Sequence, residues 1–139
     1  MILGIAMKEF AHSQVSTLLR RLAAQVKRTA EVADADSVHD LRVAIRRLSR
    51  ALRSFAQFFP AKQWKRIRKE LSNLMEAAAA VRDNDVALEL VEKAGAAERA
   101  RVALTLQARR GEAEAELREE LRNWQGRGFA REWREALEL

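Results

Sequence analysis

The stretch from Ser37 to Arg53, SVHDLRVAIRRLSRALR, sorts its side chains with the period of an α-helix. At 3.6 residues per turn, Val38, Leu41, Ile45, Leu48, Leu52 and Phe55 share one apolar face. On the other side, His39, Arg42, Arg46, Arg50 and Arg53 recur at i, i+3, i+7, i+11 and i+14 and form a narrow cationic stripe. A chain carrying such a helix needs further helices to cover the apolar face, and water or an anion to meet the other.

The rest of the chain can supply those helices. With five Gly, one Pro and no Tyr, and with abundant Ala, Leu, Arg and Glu, strands have little to use and helix is favoured throughout. The length of 139 residues suits a single domain, here residues 1–139, with one hydrophobic core. We expect an all-α protein, an antiparallel bundle of about four main helices with a short C-terminal helix. The absence of Cys excludes a disulfide scaffold and thiolate chemistry. Two histidines far apart in sequence argue against a transition-metal site. This composition suits the cytoplasm.

The opening Met1 to Met7 is apolar but shorter than a signal-peptide core, and no stretch reaches transmembrane length. No membrane partner is expected. The formal net charge is +6, yet residues 37–69 hold ten Lys/Arg against the single acid Asp40, a local +9 that leaves the remainder at −3. Such asymmetry points to a localised anion site.

Read in order, helix 1 is expected over about Ile5 to Ala33, carried by Val15, Leu18, Leu19, Leu22, Val26, Ala30 and Ala33. His12, near the end of that stripe, reads as a partly buried structural histidine. Ser37 or Asp36 is the expected N-cap of helix 2, which would run from Val38 to Phe59 and stop before Pro60. Pro60 then fits the first turn of helix 3, whose core face is Trp64, Ile67, Leu71, Leu74, Met75 and Ala78. Lys62, Lys65, Arg66 and Lys69 make a second basic stripe. An unbroken helix would carry Arg82 to the core side, so a kink is expected near residue 82, with Asp83 capping a separate segment from Asp85 to Ala94 and Gly95 stopping it. A long helix from Ala97 to Trp124 follows, in which Arg118 reads as surface pairing with Glu114, Glu119 and Arg122, and a last helix spans Phe129 to Leu139.

The stripe from His39 to Arg53 extends about 21 Å at 1.5 Å per residue, a rail for an extended polyanion. Guanidinium groups match phosphate oxygens bidentately and stay charged at any relevant pH. His39 adds a hydrogen-bond donor near a helix start, where free N–H groups also favour anions. No nucleophile with its base, Gly-rich phosphate loop, paired-carboxylate cleft or metal-ligand cluster is evident, so no enzyme activity, cofactor or metal is expected. Asp83 and Asp85 are more simply explained as capping residues than as magnesium ligands. A nucleic acid or an acidic protein could also meet the stripe. However, the basic face has few aromatic or amide groups for stacking or base reading.

VHDLRVAIRRL, Val38 to Leu48, followed by VRDNDV, Val81 to Val86, resembles the N-terminal signature of the CHAD domain, the conserved-histidine α-helical domain. The resemblance covers about Val15 to Leu90. It implies a helical bundle whose basic surface binds inorganic polyphosphate, with His39, Arg42, Arg46 and Arg82 as ligand positions and Arg47 and Arg50 beside them. Lys65 and Lys69 match the family's basic third helix, and Arg53 extends the row. CHAD domains pair two related bundles across a basic channel, and this chain carries the first of the two motif sets. A homodimer opposing two basic faces is therefore expected to complete the channel, with the protein cytoplasmic or at polyphosphate granules.

Overall fold

The structure is a computed structural model and describes residues 2–94 and 99–139. Its elements are α1 (Ile2–Glu31), α2 (Ala35–Ser54), a 3-10 turn (Ala56–Phe58), α3 (Ala61–Ala94), α4 (Arg99–Gly126) and α5 (Phe129–Ala136). Among the described residues there is no strand, and no helix is long and apolar enough to cross a membrane. Helices α1 to α4 form a closed up-down ring, each packed on the next and α4 on α1, while α5 folds back against α1 and α4. This is the expected all-α antiparallel bundle. Its core runs through Val15, Leu19, Leu22 and Val26 of α1, Leu41, Ile45, Leu48 and Leu52 of α2, Ile67, Leu71 and Leu74 of α3, and Leu117 and Leu121 of α4. One end is closed by Trp124, Phe129 and Trp133, whose ring centroids lie 4.9–5.1 Å apart.

Helix α2 starts earlier than its apolar pattern suggested. Asp34, not Asp36 or Ser37, is the N-cap, accepting from the Ser37 amide at 2.8 Å. Ser37 is buried instead, its hydroxyl donating to Thr29 Oγ1 at 2.8 Å while Gln25 Nε2 donates to its carbonyl at 3.1 Å. These bonds tie the start of the basic helix to α1. Its end also differs from the expected Phe59. The α-helix stops at Ser54, and a 3-10 turn leads to Phe59, which is buried and extended (φ −130°, ψ 151°) as a residue before proline must be. Pro60 accepts the first bonds of α3, from Gln63 and Trp64 at 3.1 Å, and so precedes the helix rather than entering its first turn. The half-buried His12 pins this turn. Its Nε2–H donates to the Phe58 carbonyl at 3.0 Å and its ring stacks on Phe59 at 4.8 Å, the structural role expected of it.

Helix α3 does not kink at residue 82. It continues to Ala94, so Asp83 caps nothing and no separate segment begins at Asp85. The polar run VRDND is held helical by partners invisible in the sequence. Asn84 Nδ2 donates back to the Ala80 carbonyl at 2.8 Å, Asp85 accepts from Arg110 of α4 at 3.0 Å, and Val81 is fully buried. Arg82 escapes the core by lying at its edge, half-buried. The expected Gly95 stop lies outside the described residues. Gly111 is accommodated inside α4, which ends at Gly126. Gly128 takes the left-handed conformation (φ 64°) that turns the chain into α5.

Two arginines of α4 hold the α1–α2 corner. Arg110 donates to the Ala33 carbonyl at 2.6 Å as well as to Asp85, and pairs with Glu114 at 3.1 Å. Burial opposes its charge, but the Asp85 and Glu114 carboxylates outweigh that, so its guanidinium is held above its ordinary pKa. Arg118 does not make the expected surface pairs. It donates to the Ala30 and Glu31 carbonyls at 3.0 and 3.2 Å, capping the last turn of α1. Arg110→Ala should cost about 1.5–3 kcal/mol, the range for hydrogen bonds to charged groups, in urea unfolding. Because Asp85 is then left unpaired, adding Asp85→Ala should cost less than the sum of the two single changes.

Candidate polyanion-binding groove

Burial of Leu41, Ile45, Leu48 and Leu52 fixes the rotation of α2 and so turns its cationic stripe toward the seam with α3. There Arg68 Nε donates to Ser49 Oγ at 3.2 Å, setting the register between the two antiparallel helices. Around this contact lies an open groove of about 240 Å³, lined by Arg46, Ser49, Arg50, Arg68 and Ser72 above a floor of Ile45, Leu71 and Met75. None of these lining residues is acidic.

The register extends the groove in both directions. Arg68, Met75 and Arg82 follow one another at seven-residue steps and therefore lie on one line of α3. Stepping the same distance back along α2 from Ser49 gives Arg42, and three residues further His39. The half-buried Arg42 thus sits at the level of Met75, and His39 and Arg82 fall toward the far end. Arg42 Nε is buried without a hydrogen-bond partner, a condition that costs about 1–3 kcal/mol for an ordinary polar group. Arg53 is exposed on the last turn of α2, and Lys65 and Lys69 are exposed on the outer side of α3, one turn before and one residue after Arg68. Lys65 Nζ stands over the Trp64 ring at 5.7 Å.

Among the described residues, none of Arg42, Arg46, Arg50, Arg53, Lys65, Lys69 and Arg82 is held in an ion pair. Two arginines depart from the sequence reading. Arg47 does not join the groove but lines a separate cleft between α1 and α2 with Arg21, Gln25 and Asp40. Arg66, expected in the second basic stripe, is bound by Glu70 at 3.4 Å and Glu132 at 3.1 Å on the opposite side of α3. Conversely, Ser49 of α2 and Arg68 and Ser72 of α3 are groove residues that the stripe patterns passed over. Only its place two seven-residue steps before Arg82 marks Arg68 in the sequence. Among the described residues no cluster of three or more His, Asp or Glu is arranged to hold a metal ion.

A helical bundle with a row of unneutralised cations along one interhelical groove concentrates positive potential there. The CHAD domain family model matches residues 13–139, and the chain belongs to that family of binding domains, which is associated with polyphosphate. The match continues through α4 and α5, beyond the region where the motifs lie. No curated protein and no solved structure is significantly similar to the chain.

Arg46 and Arg50 are one turn apart, and like charges at that spacing cost about 0.2–0.5 kcal/mol on a helix. Arg50→Gln should therefore raise thermal stability by about that much at low salt, and the gain should fade as salt is added. Arg66→Gln, which removes two ion pairs, should not stabilise. Melting curves at two ionic strengths distinguish these outcomes.

Proposed function

We propose that the protein binds inorganic polyphosphate, without turning it over, in the groove between α2 and α3. The reading rests on one observation, the continuous row of unpaired cations on two facing helices with no carboxylate lining the groove between them. In this reading the polyphosphate chain lies along the seam, with Arg46, Arg50 and Arg68 at its centre and Lys69 at the rim beside them, Arg42, His39 and Arg82 toward one end, and Arg53 and Lys65 toward the other. Arginine forks take paired oxygens from successive phosphates, and the lysines supply point charges at the rim. Ser49 and Ser72 offer hydroxyls as secondary hydrogen-bonding groups, and no base lines the groove to activate either of them. This favours binding without cleavage.

The groove is open to solvent on one side. A second copy presenting the same face would enclose the polyanion between two rows of cations, so the homodimer we propose is one that polyphosphate itself promotes. Light scattering after size exclusion, with and without polyphosphate, tests this. Retention of a strict monomer in both samples rules the dimer out.

Titration with long-chain polyphosphate, DNA and RNA at physiological salt tests the main reading. Polyphosphate should bind most tightly, with affinity falling as salt rises because bound counterions are released. Arg42→Glu combined with Arg46→Glu should weaken it by about 100-fold or more, the loss of two charge-assisted bonds at about 1.5–3 kcal/mol each. Arg47→Glu, on the other side of α2, should have a smaller effect. Equal or tighter nucleic-acid binding overturns the assignment, and an unchanged affinity in the double variant points instead to an acidic protein partner.

A further inference from the structure

Helix α1 begins well before the bundle does. Its first residue in the main core is Val15, with Ala11 buried one turn ahead, whereas every residue from Ile2 to Phe10 is exposed. Within that stretch Ile2, Leu3, Ile5, Met7 and Phe10 keep 43–87% of their surface in water. Exposed apolar patches of this kind mark an interaction surface. The segment lies at the end of the bundle where α2 passes into α3, because Phe10 stacks edge-on against Phe55 at 6.0 Å and His12 bonds to Phe58.

We propose that this end docks on an anionic lipid surface, with Ile2–Phe10 as the inserted element. Two features select a bilayer over a second protein chain. At 100° per residue, Ile2, Ala6, Phe10, Leu3 and Met7 cover an uninterrupted apolar arc of about 140°, with the exposed Glu9 separating it from Ile5 on one flank, and this is wider than the stripe of about 100° that packing against one protein face uses. An apolar liquid can wet all of it at once. The surroundings are also those of a membrane interface: Lys8, Arg53, Lys62 and Lys65 are exposed at the same end, and Trp64 and Phe58 are half-buried there. Cations of this sort meet anionic headgroups, and tryptophan favours the headgroup level.

The segment rises about 12 Å along its axis, enough to enter the headgroup and upper acyl region but far short of a span of about 30 Å. Length argues against a membrane-spanning segment, but an interfacial helix has no such length requirement. Arg53 and Lys65 are shared with the proposed polyphosphate row, whereas Leu3 and Ile5 do not line the α2–α3 groove, so changing these two separates lipid docking from polyphosphate binding.

Flotation of the full chain with vesicles of phosphatidylcholine, alone or mixed with phosphatidylglycerol, tests the proposal. The protein should float with the mixed vesicles and only weakly with phosphatidylcholine alone, and Trp fluorescence should shift to the blue, an effect that Trp64→Phe removes. Leu3→Asp with Ile5→Asp should lower partitioning by about tenfold or more, equivalent to about 1.4 kcal/mol, while leaving helical content and polyphosphate affinity unchanged. Lys8→Glu with Lys62→Glu should reduce binding to the mixed vesicles alone. Absence of flotation, or equal flotation by the Leu3→Asp/Ile5→Asp variant, overturns the proposal. A wild-type dimer that forms without vesicles and is split by that variant overturns it in favour of a second copy.

Discussion

A helix that concentrates arginine on one side survives only if its other side is held hard enough to offset the repulsion. In α2 the balance is clear. Five buried apolar side chains, Val38, Leu41, Ile45, Leu48 and Leu52, are worth about 1.5–3 kcal/mol each, whereas the Arg42–Arg46 and Arg46–Arg50 repulsions cost a few tenths of a kcal/mol apiece. The core therefore decides where the cations point. Every other part of the bundle serves this arrangement: α1 and α3 flank the apolar face, α4 closes the ring, and the Asp34 cap with the Ser37–Thr29 bond sets where the helix begins.

The two faces of α2 were legible in the sequence because helical period alone separates them. The bundle followed from the same patterns. What the sequence concealed depends on contacts between distant residues. The kink expected near Arg82 rested on helical phase, which carries that arginine to the core side, and it failed because Arg82 fits half-buried at the core's edge while Asp85 finds Arg110 twenty-five residues away and Asn84 satisfies itself on Ala80. Tertiary packing outweighed a sequence that, in isolation, would break. Likewise, no pattern in the sequence reveals that His12 and the core take residues 56–59 as a tighter turn in place of a last turn of α2.

The arginines show the same limit most clearly. Composition counts them alike, yet the fold divides them by the partners it supplies. Arg110 and Arg118 are fastened to main-chain carbonyls at the α1–α2 corner, and Arg66 and Arg127 to Glu70 and Glu132 near α5. Helix α4 mixes Glu with Arg in sequence, and in space its Arg110 and Arg118 find their partners within the protein. Arg42, Arg46 and Arg50 come from a stretch almost without acid, and among the described residues none of them is in an ion pair. Local charge imbalance was thus the useful signal, more than the presence of arginine.

That rule also explains where it fails. Arg47 belongs to the same acid-poor stretch but lies one residue, and so about 100°, from Arg46, which turns it toward Asp40 and α1. Arg68 follows Arg66 by only two residues, yet it reaches the groove while Arg66 faces α5. Helical phase relative to the buried row separates both pairs. On α3 that row is Ile67, Leu71 and Leu74, so residues one position after it turn to α2 and residues one position before it turn to α5. Arg68, Ser72 and Met75 obey the first half of this rule, and Arg66 and Glu70 the second. A cationic helix face is therefore better measured from the core row outward than from the spacing of the cations themselves.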